Sequence, residues 1–350
     1  MWPCGSINSS SSTRCGVVVS TLLLAGSTSG RPAPLRLAIY YGYPSLVNGA
    51  RGNLAAAASH VSRYDVLVLG DGLEFDTADG GHAGLQEHRF TERLIRQLAN
   101  TPRRPSVFGY VDLGRSQHLM PAEIVDRIDR WAAMGVQGVF LDEAGYDFGV
   151  TRGRQNHAVL AARRRGLRVC FNAYRPQEVF GAERVPLNAA GGGNPDGAPS
   201  LLSARDAILL ESFGSSDGIA ETPPRLTERM DQALAGRRRF GTQVFAVGTG
   251  GDDVTLAHYG WWTASAFGLD AYGWSAPGYG AAASRLQWMA PPDAEARLEH
   301  AQFIDVRPRF ESGTWHRRTT AGTIVIDTMK TRGALDTLRK DDGSWNGLIR

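Results

Sequence analysis

Eight short apolar runs, recurring roughly every 30–40 residues, constrain the fold of this chain more than any other feature. They are LRLAIYYG (35–42), YDVLVLG (64–70), SVFGYVDLG (106–114), QGVFLDE (137–143), LRVCFNAY (167–174), DAILLES (206–212), QVFAVGT (243–249) and LDAYGWS (269–275). Each is apolar on both faces, as in a parallel strand covered by helices on either side. Segments with helical spacing lie between them. FTERLIRQLAN (90–100) is one. MPAEIVDRIDRWAAMG (120–135) has Pro121 in its first turn and a stop at Gly135, and TPPRLTERMDQALAG (222–236) repeats that design with a stop at Gly236. Eight strand–helix units predict an α/β fold, a closed (β/α)8 TIM barrel. An open doubly wound sheet would carry a glycine-rich phosphate turn after its first strand, and YYGYPS (40–45) is not one.

The pattern divides the chain into a leader (1–33), a barrel (34–281), a small C-terminal β-hairpin appendage packed on the barrel (282–338) and a frayed tail (339–350). The appendage is read from RFESGTWHRRTTAGTIVIDT (309–328), where TIVIDT alternates with period two. In the leader, Arg14 precedes the apolar run CGVVVSTLLLAG (15–26) and a small-residue stretch, the layout of an export signal cleaved near Ala25–Gly30. A secreted or periplasmic protein is the expectation, with a cytoplasmic one as the alternative. The connection 175–205 is long and rich in glycine and proline, and it should lie on the active face of the barrel and shape its groove.

Composition excludes several classes. A net charge of +3 over 350 residues is no nucleic-acid footprint. The basic tracts AARRRG (161–166) and GRRRFG (236–241) fall at helix C-termini, where the dipole favours cations. No run approaches the length of a bilayer span. Cys4, Cys15 and Cys170 are too few and too scattered for a disulfide framework or a zinc site, and none of the 8 histidines shows metal-ligand spacing. GHAGLQEH (81–88) comes nearest to it.

In such a barrel the reacting groups project from the C-terminal ends of the strands. Read this way, the strand ends deliver Tyr40 and Tyr41, Asp71, Asp112, Asp142 with Glu143, Asn172 and Tyr174, Glu211, Thr249, and Tyr272 with Trp274. Carboxylates among aromatic rings suit a sugar, whose C–H faces stack on rings while its hydroxyls bond to carboxylates and amides. Two carboxylates across a pocket are what glycosidic cleavage needs. No lysine stands at a strand end to form a Schiff base. Asp142 and Glu211 are the expected catalytic pair, with Glu211 as general acid, its pKa raised by its apolar strand, and Asp142 as nucleophile or base. Tyr40, Tyr41, Asp71, Asp112, Glu143, Asn172, Tyr174 and Trp274 are the expected substrate contacts. Glu143 points away from Asp142 on an extended strand, which makes it a substrate contact or a support. This chemistry calls for no metal and no cofactor. The alternatives are a carbohydrate-binding barrel without turnover and a barrel lyase or isomerase.

The stretch GVQGVFLDEAGYD (135–147), together with AILLESFG (207–214), resembles the barrel hydrolases typified by endo-α-1,4-polygalactosaminidase (glycoside hydrolase family 114) and the related spherulin-4 proteins. YYGYPS and FGYVDLG are similar to their first and third strands. The proline that commonly follows DEA in the spherulin-4 branch is Gly145 here. The resemblance implies cleavage of an α-linked, galactosamine-containing polysaccharide by Asp142 and Glu211.

Overall fold

The structure, a computed structural model, describes residues 31–70, 72–77, 84–278, 283–337 and 348–349. Eight parallel strands close a barrel in chain order: β1 (Leu35–Tyr40), β2 (Val66–Leu69), β3 (Ser106–Asp112), β4 (Gly138–Asp142), β5 (Arg168–Asn172), β6 (Ala207–Leu210), β7 (Gln243–Thr249) and β8 (Ala271–Ser275). Closure is made where Leu35–Leu37 of β1 pair with Ala271–Gly273 of β8. Alternation along each strand sorts the side chains. Leu37, Ile39, Val68, Phe108, Phe140 and Phe245 fill the barrel interior with their neighbours. Tyr40, Leu69, Val111, Leu141, Tyr272 and Trp274 face the surrounding helices.

Around the barrel run α1 (Leu54–Val61), α2 (Gly84–Leu98), α3 (Pro121–Ala133), α4 (Arg152–Arg164), the one-turn α5 (Gln177–Phe180), α6 (Pro223–Phe240) and α7 (Val254–Phe267). Helix α3 starts at Pro121, as its sequence predicts. The stop expected at Gly236 is overridden. Helix α6 runs four residues further and ends at Gly241, which takes the left-handed conformation with φ +71°. Gly236 serves packing instead, since a Cβ there would stand 2.2 Å from the Phe180 ring of α5. Arg237, in the basic tract, is buried rather than solvated and pairs with Asp270.

The N-terminal rim of the barrel is stitched by one repeated device. The residue just before each even strand accepts a hydrogen bond from a main-chain N–H at the start of the preceding odd strand. Asp65 takes Arg36 N (2.9 Å), Gln137 takes Val107 N (2.8 Å), Asp206 takes Val169 N (3.2 Å) and Asp270 takes Val244 N (2.7 Å). These four side chains, three carboxylates and the Gln137 amide, satisfy strand ends at the face of a barrel that carries stability rather than chemistry.

After β8 the chain continues without a long helix. Residues 283–294 are tied to the segments on either side of α1, with Asn48 and Leu286 exchanging two hydrogen bonds and Tyr64 donating to Gln287 O at 2.6 Å, and lead to a one-turn helix, α8 (Glu295–Leu298). The β appendage is larger than the expected hairpin: β9 (Arg309–Glu311), β10 (Thr314–Thr319), β11 (Gly322–Asp327) and β12 (Arg332–Asp336) form an antiparallel sheet, joined by β13 (Leu348–Ile349) from the stretch read as a frayed tail. The sheet lies on α7. Trp315 meets Phe267 edge-on at 5.1 Å, and Gly333 passes so close to Trp262 that a Cβ would fall 2.2 Å from its ring. Helix α7 is buried on nearly every side, between barrel and sheet, which explains its apolar character all round. Ala33, assigned to the leader from sequence, is fully buried in the outer core. The export segment lies outside the described residues. Among the described residues no helix is long and apolar enough to cross a membrane.

Candidate active site

The fourth strand reads as core until its last residue, and its interior neighbour Phe140 places Asp142 on the inward side by alternation. The Asp142 side chain keeps some surface open to the mouth while barrel atoms enclose the rest. The Asn172 amide donates to it at 2.8 Å. Burial pushes its carboxyl up to about 6. Hydrogen bonding from Asn172, from the main chain of Glu143 and from Tyr110 pulls the other way, and the nearby Glu211 carboxylate adds a smaller upward push.

Glu211 stands one residue past β6 and is exposed. The desolvating strand that was expected to surround it ends at Leu210, so its carboxylate faces the solvent of the mouth. The same Asn172 nitrogen that donates to Asp142 also donates to Glu211, at 3.1 Å. Together these two contacts cap the separation of the accepting oxygens at about 6 Å.

Other strand-end residues divide between the mouth and the scaffold. Tyr41 is half-buried and packs with the interior residues, its ring meeting Tyr110 edge-on at 5.2 Å. Tyr174 lies just beyond β5, is 62% exposed, and accepts a hydrogen bond from Arg225 at 3.0 Å. Tyr40 and Trp274 are corrections. Both occupy the outward parity of their strands, at 2% and 8% exposure, with the Tyr40 hydroxyl on Tyr43 O and the Trp274 indole N–H on Gly251 O. Neither faces a substrate in the mouth. Asp112 is also corrected: it is fully buried, and its carboxylate holds the next turn by accepting from Gly114 N at 2.6 Å. Asp71 lies outside the described residues.

Glu143 turns out as a support. Its backbone takes a left-handed φ of +49°, which swings the side chain away from Asp142 and toward the loop after β3. There its carboxylate accepts from Arg115 N (2.8 Å), Ser116 N (3.0 Å) and the Ser116 hydroxyl. The long connection 175–205 is ordered onto the neighbouring β4–α4 turn. Asn188 donates to Tyr146 O at 2.9 Å, and Gly192 lies where a Cβ would sit 1.9 Å from that same oxygen. Beside Glu211, a small hairpin pairs Ser215–Ser216 with Ile219–Ala220 and is tied to β7 by the Ser215 hydroxyl on Thr249 O and by Asp217 N on the Thr249 hydroxyl.

Tyr110 was missed as a site residue. It shares the inward parity of Phe108 in SVFGYVDLG, and this alternation was the signal that could have found it. Trp131 of α3 fixes the backbone here, donating to Tyr110 O at 2.9 Å. Gly109 makes room for that indole, since a Cβ there would stand 2.0 Å from it.

Among the described residues no cluster of three or more His, Cys, Asp or Glu side chains is disposed to hold a metal ion. A cavity of about 40 Å³ lies away from the mouth, lined by Tyr64, Trp261, Trp274, Gln287 and Trp288, and it is too small for a sugar ring.

No protein-family model matches the chain. No curated protein matches it either. Similar solved structures include the glycoside hydrolase domain of PelA from Pseudomonas aeruginosa (15% identity, 69% of this chain and 95% of that one, TM-score 0.41). They also include 3-dehydroquinate dehydratase from Geobacillus kaustophilus (13% identity, 76% and 90%, TM-score 0.43) and malate synthase from Haloferax volcanii (14% identity, 69% of each chain, TM-score 0.41). A hydrolase domain, a dehydratase and a synthase stand side by side at similar scores, so these similarities assign no reaction to this chain.

Proposed function

We propose that this protein is a glycoside hydrolase that cleaves an α-linked, galactosamine-containing polysaccharide with the carboxylates of Asp142 and Glu211. The observation that carries the reading is the Asn172 amide, which bridges the two at 2.8 and 3.1 Å in the barrel mouth. Asp142 accepts from the Asn172 amide, which suits an acceptor-only carboxylate acting as nucleophile. Its oxygen attacks the anomeric carbon while Glu211 gives a proton to the departing glycosidic oxygen. Glu211 then takes a proton from water, which displaces Asp142 and releases the sugar with its configuration retained. Exposure of Glu211 gives that water access to it. Tyr41 and Tyr174 supply the ring surfaces for the sugar faces. The nature of the sugar rests on the motif resemblance, and the apolar leader run supports action outside the cytoplasm.

The test is a substrate panel. Partially deacetylated α-galactosamine polymers should yield new reducing ends, and neutral glucans far fewer. Binding to the polymer without any reducing-end release would support the carbohydrate-binding alternative.

A further inference from the structure

We infer that Arg229 of α6 is a positioning residue for Glu211: its guanidinium grips the turn after β6 and sets where the Glu211 carboxylate stands in the mouth. The inference rests on the reading of Glu211 as the proton donor. Glu211 is the first residue beyond β6, and Ser212 after it takes a left-handed φ of +53°. That conformation is unfavourable for a residue with a Cβ and persists only where the surroundings impose it.

Arg229 imposes it. One arm of its guanidinium donates to Glu211 O and the other to Ser212 O, the second at 3.3 Å. These oxygens belong to the peptide planes on either side of the Ser212 Cα, so holding both fixes its φ and ψ. Glu211 is exposed, and its aim therefore depends on the backbone that carries it. From this backbone its carboxylate meets the Asn172 amide at 3.1 Å.

The guanidinium is held in turn. The arm that reaches Ser212 O also donates to the Glu221 carboxylate at 2.8 Å, and the side chains of Arg229 and Glu221 are only 13% and 3% exposed. The other Glu221 oxygen accepts from Gly214 N at 3.1 Å, while Glu221 N donates to Gly214 O at 2.9 Å. Guanidinium and carboxylate thus close on residues 211–214 from both ends. Between them Phe213 N donates to Val247 O of β7 at 2.9 Å. Arg225, 3.6 Å from Glu221, donates to the exposed Tyr174 hydroxyl, so a sugar resting on Tyr174 would bear on the group that holds Arg229. Helix α6 itself has other anchors: Leu226, Met230 and Ala233 are buried, and Arg237 pairs with Asp270. Arg229 is free to serve the turn.

The experiment compares wild type with Arg229→Gln and Arg229→Lys, with asparagine side-chain amides labelled for NMR and the Asn172 signal assigned by its loss in Asn172→Ala. In R229Q the Asn172 amide proton should move most of the way to the position it takes in Glu211→Ala. kcat per folded molecule should fall about ten- to a hundredfold, the scale of a misplaced reacting group, with KM nearly unchanged. Arg229→Lys keeps the charge beside Glu221 but lacks the two-armed reach. It should shift the signal in the same direction, and it carries the same readings in a fold disturbed less. An arginine that only braces α6 would lower the thermal midpoint and leave the Asn172 signal in place. An unmoved signal in either folded variant therefore overturns the inference. The signal needs no substrate: its shift in a protein that hydrolyses no glycan would uphold the grip on Glu211 and sink the hydrolase reading alone.

Discussion

Asp142 and Glu211 accept hydrogen bonds from one nitrogen, the side-chain amide of Asn172, at 2.8 and 3.1 Å. The strands that carry them are not neighbours, since β5 runs between β4 and β6. Asn172 at the end of β5 therefore sits where it can span the gap. An amide nitrogen has two hydrogens to give, and both are used on carboxylates. Removing it should disorder the pair without unfolding the barrel. Asn172→Ala is expected to lower kcat about ten- to a hundredfold, the scale on which a misplaced reacting group costs rate. KM should change less. Steady-state kinetics on a soluble oligomer checks this.

The direction of the pH dependence separates the two possible roles of Asp142. Its carboxyl is pushed up to about 6 by burial. A nucleophile must be ionised, so kcat/KM should rise with pH through about 6. A general acid must be protonated, and that role would make activity fall through the same point. A pH profile of initial rates at constant ionic strength distinguishes them, and a rising limb near 6 is the expected result.

A carboxyl raised in the folded state also costs stability when it is ionised. The folded protein binds this proton more tightly than the unfolded chain does. Stability from this group is therefore fully present below the unfolded pKa near 4 and is lost as pH rises through about 6. Asp142→Asn is expected to stabilise the protein at pH 7.5 by about 1–3 kcal/mol. The gain should vanish below pH 4, where aspartic acid is also neutral. Denaturant unfolding at the two pH values measures the difference.

Acids at the opposite end of the barrel should behave differently. Asp206 is almost fully buried and accepts from Val169 N (3.2 Å), Ser203 N (2.9 Å) and the Ser203 hydroxyl (2.8 Å). Asp206→Ala leaves those donors without the carboxylate and should cost about 1–3 kcal/mol of stability. The activity of the molecules that remain folded should be unchanged. Thermal melts paired with active-fraction titration check both halves.

The barrel was legible because its signal is repeated. Eight both-face apolar runs and the intervening helical spacing left few architectures to choose from, and strand polarity then picked out the C-terminal end of each strand. Which strand-end residues face inward was less legible. Tyr40 and Tyr41 are adjacent, yet only Tyr41 packs with the barrel interior, and a one-residue shift in reading the parity exchanges them. Trp274 was misread for the same reason, and Tyr110 was overlooked although Phe108 fixes its parity. Glu143 escapes simple alternation because its left-handed backbone breaks the strand at the residue where the chain turns. The exposure of Glu211 depends on where β6 stops, and a run of apolar residues does not mark that point to within one position. The β sheet beyond residue 300 was half visible: TIVIDT alternates clearly, whereas the shorter strands around it carry weaker signals.

The central claim is that Asp142 and Glu211 together break a glycosidic bond. Its most direct test is reducing-end release from partially deacetylated α-galactosamine polymer by wild type, Asp142→Asn and Glu211→Gln at equal folded concentration. The account predicts release by wild type, and loss of it to background in each variant while both remain folded. Full activity in either variant, or release by none of the three proteins, would contradict it.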